Sequence, residues 1–125
     1  MRQDKFVILC VDDDPDILGS LKLVLEAHDY VFASAPSAEA AMMVYKQVQP
    51  DLVIVDLMME EVDAGTRLVR QLKREGSKVP IYLLSAVGTA LESNVDVNGL
   101  GLDGVFQKPV QTQVLLTTLS AKLRK

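Results

Sequence analysis

The segment Phe6–Asp14 reads FVILCVDDD, six apolar residues followed at once by three aspartates. A short apolar run that ends in polar residues is typical of a strand buried on both faces of a sheet. Three further apolar runs are each followed by polar residues: Leu52–Val55 by Asp56, Ile81–Leu84 by Ser85, and Val105–Phe106 by Gln107 and then Lys108. The carboxyl ends of parallel strands share one edge of a sheet, and ligands bind at that edge. We therefore expect three carboxylates, a hydroxyl and an ammonium to meet in one site.

The strand-like runs alternate with segments whose apolar residues recur at helical spacing, which predicts an α/β fold with a parallel sheet. The first of these segments follows Asp14, a favourable capping residue, and begins with Pro15, which favours the first helical turn. The predicted strands are Phe6–Val11, Tyr30–Ala33, Leu52–Val55, Pro80–Leu84 and Val105–Gln107. Four helices are predicted. The first begins at Pro15, and the second runs from a cap at Ser37 to about Gln47. The other two cover about Gly65–Arg74 and Thr112–Arg124.

The segment between Ser85 and Gly104 does not fit this alternation. A helix is expected at this point of the chain, but the segment combines Asn, Asp and Val residues with Gly99 and Gly101. These residue types are poor helix formers. We expect a short, irregular fourth helix around Thr89–Val97.

Length and composition indicate one globular domain. The chain has 125 residues, enough to bury a single core, and 49% of them are hydrophobic. We expect one domain over residues 1–125, with its core at about 6–124 and no output domain after Lys125. The only cysteine, Cys10, lies within an apolar run and is interpreted as a small buried hydrophobe.

Charge and hydropathy narrow the choice of partners and location. The net charge is −4 and the basic residues are scattered along the sequence, which argues against direct nucleic-acid binding. No apolar run approaches the length of about 18 residues that a membrane span needs. No signal peptide is recognisable either, so we expect no membrane association and a cytoplasmic location.

The carboxylates at the predicted edge favour a hard cation. Asp12, Asp13 and Asp56 would repel one another and raise one another's pKa unless a cation lies between them. Mg²⁺ is commonly held by one or two carboxylates together with phosphate oxygens and water. A carboxylate such as that of Asp56 can also attack phosphorus and form an aspartyl phosphate. Lys108 would then neutralise the phosphoryl oxygens, and Ser85 would donate a hydrogen bond to one of them.

Across residues 6–123 the chain resembles a receiver domain of a bacterial two-component response regulator. The resemblance rests on four motifs in order: Asp12-Asp13 after the first strand, Asp56 after the third, Ser85-Ala86 after the fourth, and Lys108-Pro109 after the fifth. It implies a flavodoxin-like (βα)5 three-layer sandwich whose parallel strands lie in the order 2-1-3-4-5. The fourth helix would be irregular in this chain, as described above.

The resemblance implies a phosphoacceptor and a metal site. Asp56 would accept the phosphoryl group. Asp12, Asp13 and Asp56 would hold Mg²⁺, together with the backbone carbonyl of Met58. No enzymatic turnover of a separate substrate is implied, although such domains assist their own phosphorylation and dephosphorylation.

The resemblance also implies how the domain works with other proteins. Ser85 and Lys108 would act on the phosphoryl group, and the Lys108–Pro109 peptide bond would be cis. The phosphoryl group would come from a histidine kinase or a phosphotransfer protein, and the domain would then change its affinity for a protein target that the sequence does not name. We expect a monomer or a weak dimer.

Two departures from the family pattern keep an alternative open. Glu60, Glu61 and Ala64 replace a proline and two glycines, and Val105 stands where many members carry an aromatic switch. Phe106 is expected to lie on the other side of its strand, in the core. The alternative is a receiver-like interaction module that signals without phosphorylation. A phosphohydrolase with an aspartate nucleophile is discounted, because no cap insertion follows the first acidic motif.

Overall fold

The computed structural model describes residues 5–56, 64–86 and 102–123, in which five strands and four helices form. The strands are β1 (Val7–Val11), β2 (Val31–Ala35), β3 (Leu52–Asp56), β4 (Ile81–Ala86) and β5 (Gly104–Lys108). The helices are α1 (Pro15–Ala27), α2 (Ala38–Val48), α3 (Ala64–Arg74) and α4 (Thr112–Leu123). The irregular helix predicted around Thr89–Val97 lies outside the described residues.

The five strands form one parallel sheet in the order β2-β1-β3-β4-β5, which confirms the predicted topology. The predicted ends of the strands are less accurate, and β4 is the clearest case. It was expected to end at Leu84 but continues to Ala86, because its last two residues pair with Gln107 and Lys108 of β5. The end of a strand depends on its neighbour as well as on its own apolar run.

Successive side chains of each strand point to opposite faces of the sheet and contribute to two apolar clusters. The α2/α3 cluster packs under helices α2 and α3, and its buried members are Leu9, Val11, Ala35, Ala41, Val53, Val55, Leu68, Val69, Leu72, Ile81 and Leu83. The α1/α4 cluster packs under helices α1 and α4, and its buried members are Ile8, Cys10, Leu21, Leu25, Tyr30, Leu52, Ile54, Tyr82, Leu84, Phe106, Leu115 and Leu119. Helices therefore cover both faces, which confirms the three-layer sandwich and the buried position of Cys10.

The first two helices begin at side chains that accept backbone hydrogen bonds. Asp14 accepts one from the N–H of Asp16 at 2.9 Å, and Ser37 Oγ accepts one from the N–H of Ala40 at 3.1 Å. Such contacts satisfy N–H groups that have no partner within the helix. Both predicted caps are confirmed.

The helices are short and serve to cover the sheet. The longest helix among the described residues, α1, has 13 residues and is therefore about 20 Å long. Within the parts of the chain that the structure describes, no helix has both the length and the apolar character needed to cross a membrane.

Two glycines allow a matched test of backbone conformation. A Cβ atom added at either Gly19 or Gly76 would meet no atom within 4 Å, but Gly19 lies inside α1 whereas Gly76 has a φ of 90°. Gly19→Ala should raise the free energy of unfolding by about 0.5–1 kcal/mol, because alanine loses less backbone entropy in a helix. Gly76→Ala should lower it by about 1 kcal/mol, because a Cβ atom disfavours this backbone region. Urea denaturation measures both changes. If both substitutions raised the free energy of unfolding, or both lowered it, the backbone conformations assigned to Gly19 and Gly76 would be contradicted.

Candidate functional site

Three charged side chains lie at the carboxyl edge of the sheet. Asp12 directly follows β1, and Asp56 and Lys108 are the last residues of β3 and β5. Each comes two residues after a member of the α1/α4 cluster, so the alternation of strand side chains directs all three to that side of the sheet. The parallel register thereby brings together residues that are far apart in the sequence.

Lys108 bridges the two aspartates. Its Nζ atom lies 3.1 Å from Oδ2 of Asp12 and 3.1 Å from Oδ1 of Asp56. The side chain of Asp12 is fully buried and that of Asp56 is 5% exposed, whereas 23% of the Lys108 side chain remains exposed. Two carboxylates at this depth repel each other, and the ammonium group opposes that repulsion. One positive charge still leaves the group negative.

The two oxygens of Asp12 have different surroundings. Oδ1 accepts a hydrogen bond from the backbone N–H of Asp14 at 2.9 Å. Oδ2 is buried and, among the described residues, has no hydrogen-bond donor of suitable geometry, so its contact with Lys108 is an ion pair. A buried carboxylate oxygen in this state favours a further cation.

The N–H of Asp14 is a contributor that the sequence analysis missed, since Asp14 was interpreted only as a helix cap. The signal was present in the Asp12–Asp14 run, because an aspartate commonly accepts a hydrogen bond from the backbone two residues further on. The consequence is a fixed orientation for the Asp12 carboxylate, with one oxygen occupied and the other directed toward Lys108.

The surroundings of Lys108 keep it protonated. Burial is the largest single effect and would by itself lower the pKa of the ammonium group. The attraction of Asp56 and then of Asp12 together outweighs it, so the pKa of Lys108 is raised above its ordinary value. Lys108 therefore keeps its positive charge at neutral pH. In contrast, burial and then the charge of Asp12 raise the pKa of the Cys10 thiol, which stays neutral.

Asp13 completes a group of three carboxylates. One oxygen atom from each of Asp12, Asp13 and Asp56 lies within 4.8 Å of the others. Asp13 is exposed while the other two residues are buried, so the group is accessible from one side. Oxygen ligands with an excess of negative charge suit a hard divalent cation. This acidic cluster could therefore hold a metal ion next to Asp56.

Ser85 reaches the same edge from β4. It is buried and lies one residue beyond Leu84, the register partner of Asp56. Within β4 it continues the row of Ile81 and Leu83, which belongs to the α2/α3 cluster. The structure therefore places Ser85 at the edge of the site, in the row of side chains opposite to that of Asp56.

The remaining sequence-based assignments have mixed outcomes. Met58, whose carbonyl was expected to bind the metal, lies outside the described residues, as do Glu60 and Glu61. The Lys108–Pro109 peptide bond is cis, as the resemblance implied.

The two residues before Gln107 lie in different clusters. Val105 is partly buried and packs against the α2/α3 cluster. Phe106 is buried in the α1/α4 cluster and stacks on Tyr82, with ring centroids 5.1 Å apart and an angle of 26° between the ring planes. The assignment of Phe106 to the core is confirmed.

Comparison with known proteins identifies the class of protein. A family model described as the response regulator receiver domain matches residues 8–120. The response regulator GtcR of Aneurinibacillus migulanus is 35% identical over 118 residues, covering 94% of this chain and 48% of that protein. RpaA of Synechocystis, named a DNA-binding dual master transcriptional regulator, is 30% identical over 120 residues, covering 94% of this chain and 49% of that protein. The chain belongs to the response regulator receiver domain family.

Solved structures share the fold of this chain. The chemotaxis response regulator CheY4 of Vibrio cholerae shares the fold with a TM-score of 0.81 and 24% identity, covering 94% of this chain and 98% of that chain. Membership of the receiver family, rather than the shared fold, makes this chain a phosphoacceptor signalling domain, and such domains are broadly non-enzymatic and interact with kinases or phosphotransfer proteins. It spans about half the length of the curated relatives named above.

Replacing Lys108 with methionine should leave two carboxylates without their cation. In metal-free buffer at neutral pH, we expect Lys108→Met to lower the free energy of unfolding by about 1–3 kcal/mol, less than for a fully buried pair because Lys108 is partly exposed. The pKa of Lys108 is raised in the folded state. Its contribution is therefore fully present below the unfolded-state pKa of about 10.4 and is lost as the pH rises through the folded-state value.

Urea denaturation at about pH 7 and about pH 11 measures this effect, and the deficit of the variant should shrink at the higher pH. The matched control is Lys122→Met. Lys122 lies 2.7 Å from Asp103, but its side chain is 40% exposed. That substitution should cost only about 0–1 kcal/mol. If the Lys108→Met variant were as stable as the Lys122→Met variant at neutral pH, the role of Lys108 in stabilising the two buried carboxylates would be contradicted.

Proposed function

We propose that the domain receives a phosphoryl group on Asp56 from the phosphohistidine of a histidine kinase or phosphotransfer protein. The observation that carries this proposal is the Lys108 ammonium group, held 3.1 Å from Oδ1 of Asp56 beside an acidic cluster that could hold a metal ion. The proposed ion is Mg²⁺, bound by Asp12, Asp13 and Asp56 with the backbone carbonyl of Met58. When bound, Mg²⁺ would coordinate phosphoryl oxygens and neutralise part of their charge.

The proposed transfer exchanges one bond to phosphorus for another. A carboxylate oxygen of Asp56 attacks phosphorus, and the P–N bond of the donor histidine breaks. The bonding electron pair returns to the imidazole, which takes up a proton from solvent, and the product is an acyl phosphate. Lys108 opposes the negative charge of the phosphoryl oxygens without moving far, because its ammonium group already lies beside the attacking carboxylate.

Phosphorylation changes the charge that the site has to balance. A carboxylate with a single negative charge becomes a group that carries about −1.5 to −2. We expect Lys108 to shift from Asp12 toward the phosphoryl oxygens and Ser85 to donate a hydrogen bond to one of them. Ser85 is near the end of β4, so its movement would act on the chain that follows β4 and alter the affinity for a target protein.

Further expectations accompany this proposal. The receiver domain would occupy residues 1–125, with its core at about 6–124, and would work in the cytoplasm as a monomer or weak dimer. It would assist its own phosphorylation and dephosphorylation, and it would not bind nucleic acid directly, in keeping with a net charge of −4. The alternative, a module that signals without phosphorylation, is not favoured, because Lys108 and both of its aspartate partners are present.

The proposal is tested by incubating the protein with Mg²⁺ and either acetyl phosphate or phosphoramidate. Phosphoramidate contains the P–N bond that a phosphohistidine donor would offer. We expect intact mass spectrometry to show one added phosphoryl group with both donors. The adduct should disappear in Asp56→Asn and in wild-type protein treated with a chelator.

Asp16→Asn is the matched control for this experiment. It removes one carboxylate from the first turn of α1, outside the acidic cluster, and should accept the phosphoryl group like the wild type. An adduct that persists in Asp56→Asn, or that forms equally well after chelation, would contradict the proposal. The absence of any adduct in the wild-type protein would favour the phosphorylation-independent module.

A further inference from the structure

Basic residues are concentrated on and just after helix α3. Five of the 13 lysines and arginines in the chain fall within a span of 12 residues, in which Glu75 is the only acidic residue. They are Arg67, Arg70, Lys73, Arg74 and Lys78. The chain as a whole carries a net charge of −4, so this segment has the opposite sign to the rest of the protein. The expectation of scattered basic residues does not hold for this segment, and on α3 the helical spacing brings Arg70 and Arg74 to one side.

The fold presents these cations to solvent. Leu68, Val69 and Leu72 are at most 2% exposed and attach α3 to the sheet through the α2/α3 cluster. With about 3.6 residues per turn, Arg70 and Arg74 lie on the side of the helix opposite to these residues. Both are exposed, as is Lys78, which follows the helix, while Lys73 is half-buried beside them. Arg70, Arg74 and Lys78 are together called the basic face.

The basic face has no acidic partner in the described parts of the chain. The ion pairs found there involve Lys108 and Lys122, and none involves a residue of the basic face. Like charges four residues apart on a helix are destabilising by about 0.2–0.5 kcal/mol per pair. The helix dipole offers a reason for a cation at Arg74, in the last turn of α3, but gives none for Arg70 or Lys78.

We propose that the basic face binds an acidic polypeptide segment of a partner protein. Arginine guanidinium groups bind carboxylates with two parallel hydrogen bonds, and Arg70 and Arg74 lie about one turn apart on the exposed side of α3. An acidic helix or extended segment would supply carboxylates along the same line. This interaction does not require phosphorylation of Asp56 and is therefore separate from the function proposed above.

Two other polyanions fit the basic face less well. An amphipathic helix binds a membrane surface by inserting its apolar side, but the apolar side of α3 is buried against the sheet. A nucleic-acid duplex extends well beyond the basic face and would meet a protein surface whose remaining charge is negative. A short acidic peptide can place several of its carboxylates within about 10 Å of the cations, the distance over which charges act at moderate ionic strength.

The test uses a fluorescent peptide of about 12 residues, rich in glutamate, with fluorescence anisotropy as the measurement of binding. The variant carries Arg70→Gln, Arg74→Gln and Lys78→Gln. Its matched control carries Lys5→Gln, Lys22→Gln and Lys46→Gln, which removes three exposed cations elsewhere and gives the same net charge. Circular dichroism during urea denaturation establishes that each protein is folded.

We expect the wild type and the control variant to bind the peptide with similar affinity, and the basic-face variant to bind at least about tenfold more weakly. Asp56→Asn should bind the peptide like the wild type. The binding result is therefore independent of whether Asp56 accepts a phosphoryl group. Equal weakening in the two triple variants would overturn the proposal, as would the absence of binding to the wild type. So would binding of a duplex DNA or of phosphatidylserine vesicles as tight as binding of the peptide.

Discussion

The ion pairs of Lys108 with Asp12 and Asp56 are the interaction on which the site depends. They join the last residues of β3 and β5 to the residue that directly follows β1, and both carboxylates are almost fully buried. Burying two like charges is unfavourable without a cation beside them. The chain meets this requirement by ending β5 with a lysine whose ammonium group lies 3.1 Å from each carboxylate. One cation for two buried anions, with exposed Asp13 nearby, leaves a negative group that favours a divalent ion.

The order of the strands explains why this arrangement needs a long side chain. β4 lies between β3 and β5, so the backbones of Asp56 and Lys108 are separated by two strand spacings, about 10 Å. Lys108 spans this gap across the end of β4, where Ser85 lies in the opposite row of side chains. A phosphoryl group on Asp56 would enter the region between these two residues. Under the proposed function, the geometry that offsets repulsion in the resting state would also supply the contacts to the phosphoryl group.

The sequence predicted the fold more fully than the site, and the reason is physical. Apolar runs and their terminal polar residues are local properties, so β1 and β3 and the candidate residues that follow them were identified directly. The bridge formed by Lys108 depends on the register of four neighbouring strands, from β1 to β5. The hydrogen bond from the N–H of Asp14 to Asp12 depends on a turn that was interpreted only as a cap. The common orientation of Arg70 and Arg74 follows from the spacing of residues around α3, which a count of charges along the sequence does not contain.

The most direct test of the central claim is the effect of Mg²⁺ on the free energy of unfolding in wild type, Asp13→Asn and Asp16→Asn. If the three carboxylates form a cation site, Mg²⁺ should stabilise the wild type and Asp16→Asn by up to about 2.7 kcal/mol at a concentration one hundred times the dissociation constant. Asp13→Asn should fold, because Asp13 is exposed, but should lose most of this stabilisation. An Asp13→Asn variant that responds to Mg²⁺ as strongly as the wild type would contradict the account.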